Sequence, residues 1–401
     1  MMNQNPMMNP GGGGAYYPQP VMYRPSNNRR AIKWVLGIFV LLVMLLVGQL
    51  TLYMIGYNME WAALQTGVLL ALLPVPIYLL LILWLDRYES EPLWMLALSF
   101  LWGATFAAFI AIIVNSIGAR AVAEAYGVEE AMFYGLVISA PVVEEFSKAF
   151  VLFVIFFWKK DEFDGIMDGI VYAGMVGLGF AMTENIKYYG DAAMASMSMR
   201  MDHVTPTFFL RGGLAAFAHP LFTSMTGIGL GWARQSTSKA IKITMPFLGL
   251  ILAMCVHATW NYSAWLAQQY RNGLIFFGVY GAIMIPIFSA VLVSVYFALR
   301  REGRVVRDFL YYDLNRGLFT PEDYYRLCTV RGRMGASMRA LTRGGFGHWR
   351  TRMQYHQTAS ELAFHRCRIA RGLTPWEQQS MERERAYVQL LFELRRRLGP
   401  H

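Results

Sequence analysis

Charged residues are scarce in this sequence, and so are the features that mark a secreted domain. Only 15% of the 401 residues are charged and 56% are hydrophobic, whereas soluble domains average about 25% charged and about 45–50% apolar. The three cysteines have no CxxC spacing and an odd count, which argues against a disulfide framework. The first 28 residues lack the apolar core of a signal peptide. A soluble enzyme, a disordered scaffold and a disulfide-rich secreted domain are therefore excluded.

What the sequence does contain is a series of apolar segments, each near the roughly 20 residues that cross a bilayer. The pattern predicts an all-α polytopic membrane protein with about eight transmembrane helices. The predicted spans are residues 32–55, 67–85, 94–115, 133–158, 165–188, 208–232, 243–265 and 274–298.

Three regions follow from composition. Residues 1–30 are rich in glycine, proline and asparagine and are predicted to be a disordered cytoplasmic tail. Residues 31–298 form the transmembrane domain. Residues 299–401 are predicted to be a small helical cytoplasmic appendage, because Thr320 and Thr374 are each followed by proline and acidic residues, as at a helix start.

The C-terminal appendage is strongly basic. From residue 301 onward it holds 19 arginines, no lysine and 10 acidic residues. Such a segment is attracted to an anionic lipid leaflet by about 1 kcal/mol per basic residue near the surface. Nucleic acid is not an expected partner, because no base-reading motif accompanies the charge.

Basic residues also predict the orientation. Lysines and arginines cluster before the first span and after the fourth, sixth and eighth, while a few, including Arg211, fall elsewhere. With eight spans, all four clusters lie on one side, so both termini are expected in the cytoplasm. We therefore predict a multi-pass protein of a cell membrane, with a bacterial cytoplasmic membrane the expected location.

Ionisable residues in the fourth span are the strongest functional signal. Glu144, Glu145 and Lys148 lie inside it, and each charge at a helix centre costs about 2.5–3.5 kcal/mol. Glu144 and Lys148 are four apart and can pair, whereas Glu145 points about 100° away. A structural ion pair therefore explains one glutamate and leaves the other without a partner.

Polar residues in three further spans reach the same depth. Counting about 1.5 Å per residue from the predicted helix ends places Glu144, Glu184 of the fifth span, His219 of the sixth and His257 of the seventh in one layer of the outer half. Asn261 lies one helical turn from His257. This agreement between independent helices predicts a single polar site.

The chemistry of this set is that of hydrolysis without a covalent intermediate. A buried carboxylate can act as general base toward water, and imidazole and carboxamide groups can stabilise an oxyanion. A nucleophilic triad is not supported and the HExxH motif is absent. Two histidines and a glutamate also permit an open zinc site, although a mechanism without metal or other cofactor is favoured. The same groups can relay protons in a transporter.

These motifs resemble those of the PrsW family of intramembrane proteases, which are similar to type II CAAX prenyl proteases and bacterial CAAX-like proteins. The resemblance covers roughly residues 60–298. The matching segments are Glu144-Glu145-x-x-Lys148, residues 168–185 ending in Glu184-Asn185, the His219 segment, His257-x-x-x-Asn261 and an acidic loop at 86–92.

The resemblance implies roles for these residues. Glu144 or Glu145 would be the general base, Glu184 and His219 would hold or protonate the reacting groups, and His257 with Asn261 would form the oxyanion hole. Lys148 and Asn185 are expected to pair charges. The implied substrates are membrane-anchored proteins such as anti-sigma factors, cut on the extracytoplasmic side in regulated proteolysis and stress signalling. A non-catalytic scaffold or immunity-type role is the remaining alternative.

Overall fold

The structure is a computed structural model, and helices are the regular secondary structure of the residues that it describes. No strand occurs among those residues, which confirms the predicted all-α class. Most of the predicted disordered tail 1–30 and the helix start at Thr374 lie outside the described residues. The described residues are 27–88, 90–160, 162–372 and 377–399.

In the described residues up to 315, thirteen helices form the apolar region and the segment that leads from it toward the C-terminus. They are α1 (Asn27–Gly56), α2 (Trp61–Leu72), α3 (Val75–Leu85), α4 (Leu93–Trp102), α5 (Ala108–Tyr126), α6 (Val128–Phe133), α7 (Ala140–Trp158), α8 (Ile166–Met199), α9 (Val204–Phe208), α10 (Ala218–Gln235), α11 (Lys239–Gln269), α12 (Gly273–Val279) and α13 (Ile285–Asn315).

Four short π-helical segments widen the helices of this region in the part of the chain that the structure describes. Three of the segments are followed, within two to six residues, by a proline in the first turn of the next helix. Proline has no N–H with which to continue an α-helix. The segments are Gly103–Ala107, Tyr134–Ser139, Phe209–Leu214 and Tyr280–Met284, and the prolines are Pro141, Pro220 and Pro286.

Six helical stretches in the described residues are long and apolar enough to cross a membrane, which confirms a polytopic protein. They are Trp34–Gly56, Trp61–Leu85, Leu93–Tyr126, Ile166–Met199, Lys239–Gln269 and Gly273–Asn315. The two other predicted spans correspond to α7, which carries three ionisable residues, and to α10, which is rich in glycine and hydroxyl side chains. The count of eight therefore stays a prediction.

Helix α8 is the buried centre of the bundle and packs against α2, α4 and α10. Glycines allow this packing, since a Cβ at Gly179 would lie 2.0 Å from the carbonyl oxygen of Phe100. A Cβ at Gly177 would lie 2.6 Å from the backbone nitrogen of Pro220. Small residues let helix backbones approach closely in membranes, and here Gly179 lets α8 approach α4 while Gly177 lets it approach α10.

Replacing Gly179 by alanine should test this packing. We expect a loss of about 1–3 kcal/mol in unfolding free energy, because the new methyl group overlaps the Phe100 carbonyl and forces the helices apart. The matched control is Gly278→Ala on α12, where a Cβ meets nothing within 4 Å. That variant should be neutral or gain up to about 1 kcal/mol from helix propensity. Equal unfolding midpoints in detergent for both variants would contradict the packing argument.

The C-terminal region is a small helical unit, as predicted. It comprises the end of α13 with α14 (Pro321–Leu327), α15 (Val330–Ala370) and α16 (Gln378–Leu398), which share an apolar core. The hydroxyl of Thr320 accepts a hydrogen bond from the N–H of Asp323 at 3.1 Å, the expected helix cap. Tyr88, from the loop between α3 and α4, is buried in this core beneath the Arg333 guanidinium. The unit is thus attached to the membrane helices through that loop.

Candidate active site

Lys148 lies at the centre of the polar cluster. Its Nζ is 2.9 Å from Oε1 of Glu145, 3.5 Å from Oε2 of Glu144 and 3.0 Å from Nδ1 of His219. The pairing of Lys148 with Glu144 that the sequence predicted is present, but the expectation that Glu145 has no partner is wrong. The flexible lysine side chain reaches residues three and four positions back on α7 at once, and the shorter contact is to Glu145.

Glu145 is fully buried, and both of its carboxylate oxygens have partners. Oε1 lies 3.0 Å from Nδ1 of His257 in addition to Lys148, and Oε2 accepts a hydrogen bond of 2.9 Å from the Thr223 hydroxyl. With Nδ1 of His257 occupied in this way, the other ring nitrogen, Nε2, lies 3.9 Å from Oε2 of Glu144. Glu145 therefore fixes the orientation of the His257 ring.

Glu144 differs from its neighbour because it lines a cavity. The cavity has a volume of about 480 Å³, is bordered by α1, α5 and α8, and is also lined by Glu184. The contacts of Glu144 to Lys148 and His257 are longer than those of Glu145. Of the two adjacent glutamates, Glu144 is the one that a ligand in the cavity can reach.

Glu184 is held from two sides. Its Oε2 lies 2.9 Å from Nε2 of His219 and also accepts a hydrogen bond from the Arg211 guanidinium. Nε of Arg211 donates to Oδ1 of Asn185 at 2.6 Å, and the guanidinium stacks 3.6 Å from the centre of the Tyr188 ring. Sequence reasoning missed Arg211, although an arginine far from the basic clusters, near the predicted outer end of its span, was a signal.

Asn261 makes a hydrogen bond to the protein backbone. Its Nδ2 donates to the carbonyl oxygen of Leu136 at 2.8 Å. Leu136 stands five residues before Pro141, so its carbonyl is the one that a π-helical turn would pair with the N–H that proline lacks. A freed carbonyl in a membrane must find another donor. The position of Asn261 thus has a structural explanation, and its predicted role in an oxyanion hole stays a prediction.

The cluster fits a divalent cation by charge and by ligand type. Ligand atoms of Glu144, His219 and His257 all lie within 4.8 Å of one another, and the three residues are buried. Two imidazoles and a carboxylate form a ligand set that catalytic zinc sites use. Nε2 of His257 is already turned toward Glu144. Both nitrogens of His219 have polar partners, so His219 would have to exchange one of them in order to bind a metal.

Thr223→Val should show how strongly the site depends on the orientation of Glu145. Removing the hydroxyl takes a hydrogen bond away from a buried carboxylate, a contribution of about 1.5–3 kcal/mol for a charged acceptor. We expect lower peptidase activity and a lower unfolding midpoint. The matched control is Thr226→Val on the same helix, since both threonines are completely buried and the Thr226 hydroxyl has no partner within the described residues. If Thr226→Val lowers the activity and the unfolding midpoint as much as Thr223→Val does, the hydrogen bond to Glu145 is not the cause of the loss.

The comparison with protein families decides the class of this site. A sequence model described as "PrsW family intramembrane metalloprotease" matches residues 91–291, which is half of the chain and contains every residue of the cluster. The chain belongs to the PrsW family. The resemblance drawn from the motifs is thereby confirmed, and so is the predicted enzyme class, a membrane-embedded peptidase.

Individual relatives agree with this assignment. Three of these relatives are each named Protease PrsW. The protein of Oceanobacillus iheyensis is 30% identical over 185 residues, covering 46% of this chain and 76% of the relative. That of Bacillus subtilis is 31% identical over 177 residues, with 44% and 72% covered. That of Geobacillus kaustophilus is 32% identical over 154 residues, with 38% of this chain and 60% of the relative covered. No solved structure matches the chain.

Proposed function

We propose that this PrsW-family protein hydrolyses peptide bonds of membrane-anchored proteins at a metal centre formed by Glu144, His219 and His257. The observation that carries the proposal is that the ligand atoms of these three buried residues lie within 4.8 Å of one another, beside a cavity that Glu144 lines. A divalent ion such as zinc is a Lewis acid that polarises carbonyl groups and makes water more acidic. The description of the family as intramembrane metalloproteases supports the same choice over the metal-free mechanism that the sequence favoured.

Glu145 and Lys148 act as positioning residues in this proposal. A carboxylate that accepts from Nδ1–H of a ligating histidine fixes its tautomer and leaves Nε2 free to bind metal, and Glu145 stands in this relation to His257. The Lys148 ammonium offsets part of the negative charge of the two glutamates beside it. Together they keep the His257 ring aimed at Glu144.

Glu184 is the proposed general base. It lines the same cavity as Glu144, and Arg211 holds its carboxylate in place. In peptide hydrolysis the attacking water loses a proton and the departing amine gains one. A carboxylate next to the reacting groups can carry out both transfers in turn. Nε2 of His219 lies 2.9 Å from the Glu184 carboxylate, and with Nδ1 on the metal it would donate a hydrogen bond to that carboxylate.

The substrate and its location are proposed from the sequence. Anti-sigma factors anchored in the membrane are the substrate class that the family resemblance implies, and the orientation from basic residues would place the site in the extracytoplasmic half of a bacterial cell membrane. The same orientation puts both termini in the cytoplasm, with the arginine-rich tail attracted to the anionic leaflet. The relatives' name supports a protease over the transporter or scaffold that the sequence left open.

Metal analysis of the purified protein tests the central claim. We expect about one equivalent of a divalent metal per chain, as for a site with three protein ligands, and its loss in His257→Ala. His203→Ala, which changes a histidine outside the cluster, is the control and should keep the metal. Strong chelation should abolish cleavage of a membrane-anchored reporter. Activity that survives chelation, but not Glu144→Gln, would instead make Glu144 the base of a metal-free mechanism.

A further inference from the structure

A second cavity lies where the membrane helices meet the C-terminal helices. Its volume is about 360 Å³, and its walls come from the start of α8, the end of α10, α13 and α15. Asp168, which lines it, precedes Glu184 by sixteen residues on α8, or about 24 Å along the helix. This cavity is therefore separate from the peptidase centre. The arginines that line it are Arg301, Arg304, Arg368 and Arg371.

The three carboxylates that line the cavity are already engaged. Asp164 pairs with Arg368 at 3.3 Å. Asp168 accepts hydrogen bonds from two backbone N–H groups just before α8, where the helix dipole also favours a negative charge. Glu302 acts electrostatically on Arg301 and, outside the cavity, on arginines of the α3–α4 loop and of α15. Four arginines thus face three carboxylates in the cavity, which leaves an excess of one positive charge.

Arg301 and Arg371 are two of the four arginines that carry this positive charge. Both line the same cavity, where the charge of Arg371 opposes that of Arg301 and Asp164 and Glu302 offset part of it. Within the described residues neither arginine forms a salt bridge with a carboxylate. Among the described residues, the Arg371 guanidinium donates only to the carbonyl oxygen of Gln235, at 3.3 Å. An anion between the two guanidinium groups would relieve the repulsion. Arginine forks match the oxygens of a phosphate group in geometry as well as charge.

The α13 wall of the cavity changes from apolar to basic along one helix face. Phe297 and Ala298 precede Arg301 by about one turn and Arg304 by about two turns, and all four line the cavity. Phe297 is 60% exposed at the edge of the apolar part of the helix. A ligand in the cavity therefore meets apolar surface and then guanidinium groups, which is the order of acyl chain and phosphate in a phospholipid.

We propose that this cavity binds the phosphate group of an anionic phospholipid, between Arg301 and Arg371, with the start of an acyl chain against Phe297 and Ala298. Bound in this way, the lipid would join α13 to α15 and hold the C-terminal unit against the membrane helices. The site does not depend on the peptidase reaction. It differs from a diffuse attraction of the basic tail because particular arginines carry it.

Thermal unfolding of the full chain in neutral detergent tests the site. Phosphatidylglycerol should raise the unfolding midpoint of the wild type, and phosphatidylcholine should not. The cavity variant Arg301→Gln/Arg371→Gln should lose most of that rise. The matched control Arg339→Gln/Arg350→Gln removes the same charge from exposed positions on α15. This variant should keep the rise in unfolding midpoint with phosphatidylglycerol. Equal responses of the two double variants would overturn the proposal in favour of diffuse attraction. Glycerol phosphate as a separate additive distinguishes a soluble phosphate ligand, and a shift with it alone would overturn the lipid assignment.

Labelling of Cys367 gives a readout that does not require the cavity variant to fold. Cys367 lines the cavity and is not in a disulfide. In a Cys255→Ser background, which removes the exposed cysteine, phosphatidylglycerol at about ten times its Kd should slow maleimide labelling of Cys367 about tenfold. Phosphatidylcholine should leave the rate unchanged. An unchanged rate with both lipids would contradict binding in this cavity.

Discussion

Glu144→Gln should abolish cleavage of a membrane-anchored substrate while the protein still inserts and accumulates. The substitution keeps the size of the side chain and removes the charge of the carboxylate that lines the cavity beside His257. We expect a loss of at least about 10²-fold, because removal of a ligand or of a general base has effects of this order. The measurement is the cleavage rate of a reporter in proteoliposomes, normalised to the amount of folded enzyme.

Two comparisons make this result specific to Glu144. Glu130→Gln removes an exposed carboxylate from α6, the short helix before α7, and should leave the rate unchanged. Glu144→Gln combined with His257→Ala should lose no more than the worse single variant, because groups that act as one unit give non-additive losses. Wild-type cleavage by Glu144→Gln would end the proposal that this cluster is the peptidase centre.

Lys148→Met should produce the largest loss of stability among substitutions in the cluster. Methionine fills a similar volume, but Glu144 and Glu145 then lose the ammonium that lies 3.5 and 2.9 Å from their oxygens. Removing one partner of a buried ion pair costs about 3–5 kcal/mol, because an uncompensated charge is left behind. The measurement is the free energy of unfolding in detergent.

A surface pair provides the control for Lys148. Lys187 and Asp191 lie 2.5 Å apart with side chains 58% and 51% exposed, so Lys187→Met should cost at most about 1 kcal/mol. The double variant Lys148→Met/Glu145→Gln should be more stable than Lys148→Met alone, since one of the stranded charges is removed. If Lys148→Met lowers the free energy of unfolding no more than Lys187→Met does, Lys148 does not compensate buried charge on Glu144 and Glu145.

The composition of the sequence was sufficient for the class of fold. Long apolar runs must satisfy their backbone groups internally in a bilayer, so they form helices whatever their neighbours are. The ionisable residues inside those runs were equally visible, because each is expensive at that depth. The sequence argument therefore brought Glu144, Glu184, His219 and His257 to one layer, and the structure places them in one cluster.

Helix periodicity alone could not predict which side chains contact one another. A rotation of 100° per residue separates Glu144 from Glu145 on α7, yet the long Lys148 side chain spans both. Arg211 was set aside as a basic residue off the expected side, although it holds Glu184 in place. The rotamers that produce these contacts depend on neighbouring helices, about which a single helix contains no information.

What the sequence determined by itself was an all-α membrane protein, its family, and the set of polar residues that its helices must accommodate. Tertiary packing alone decided which partners each of those residues has. Gly177 lets α10 approach α8 closely enough for His219 to meet Glu184. The contact with Thr223 completes the burial of Glu145, whereas Glu144 is left at the cavity. Two adjacent glutamates are chemically identical in the chain, and only the surroundings that the other helices provide make one a fully buried group and the other a group that lines the cavity.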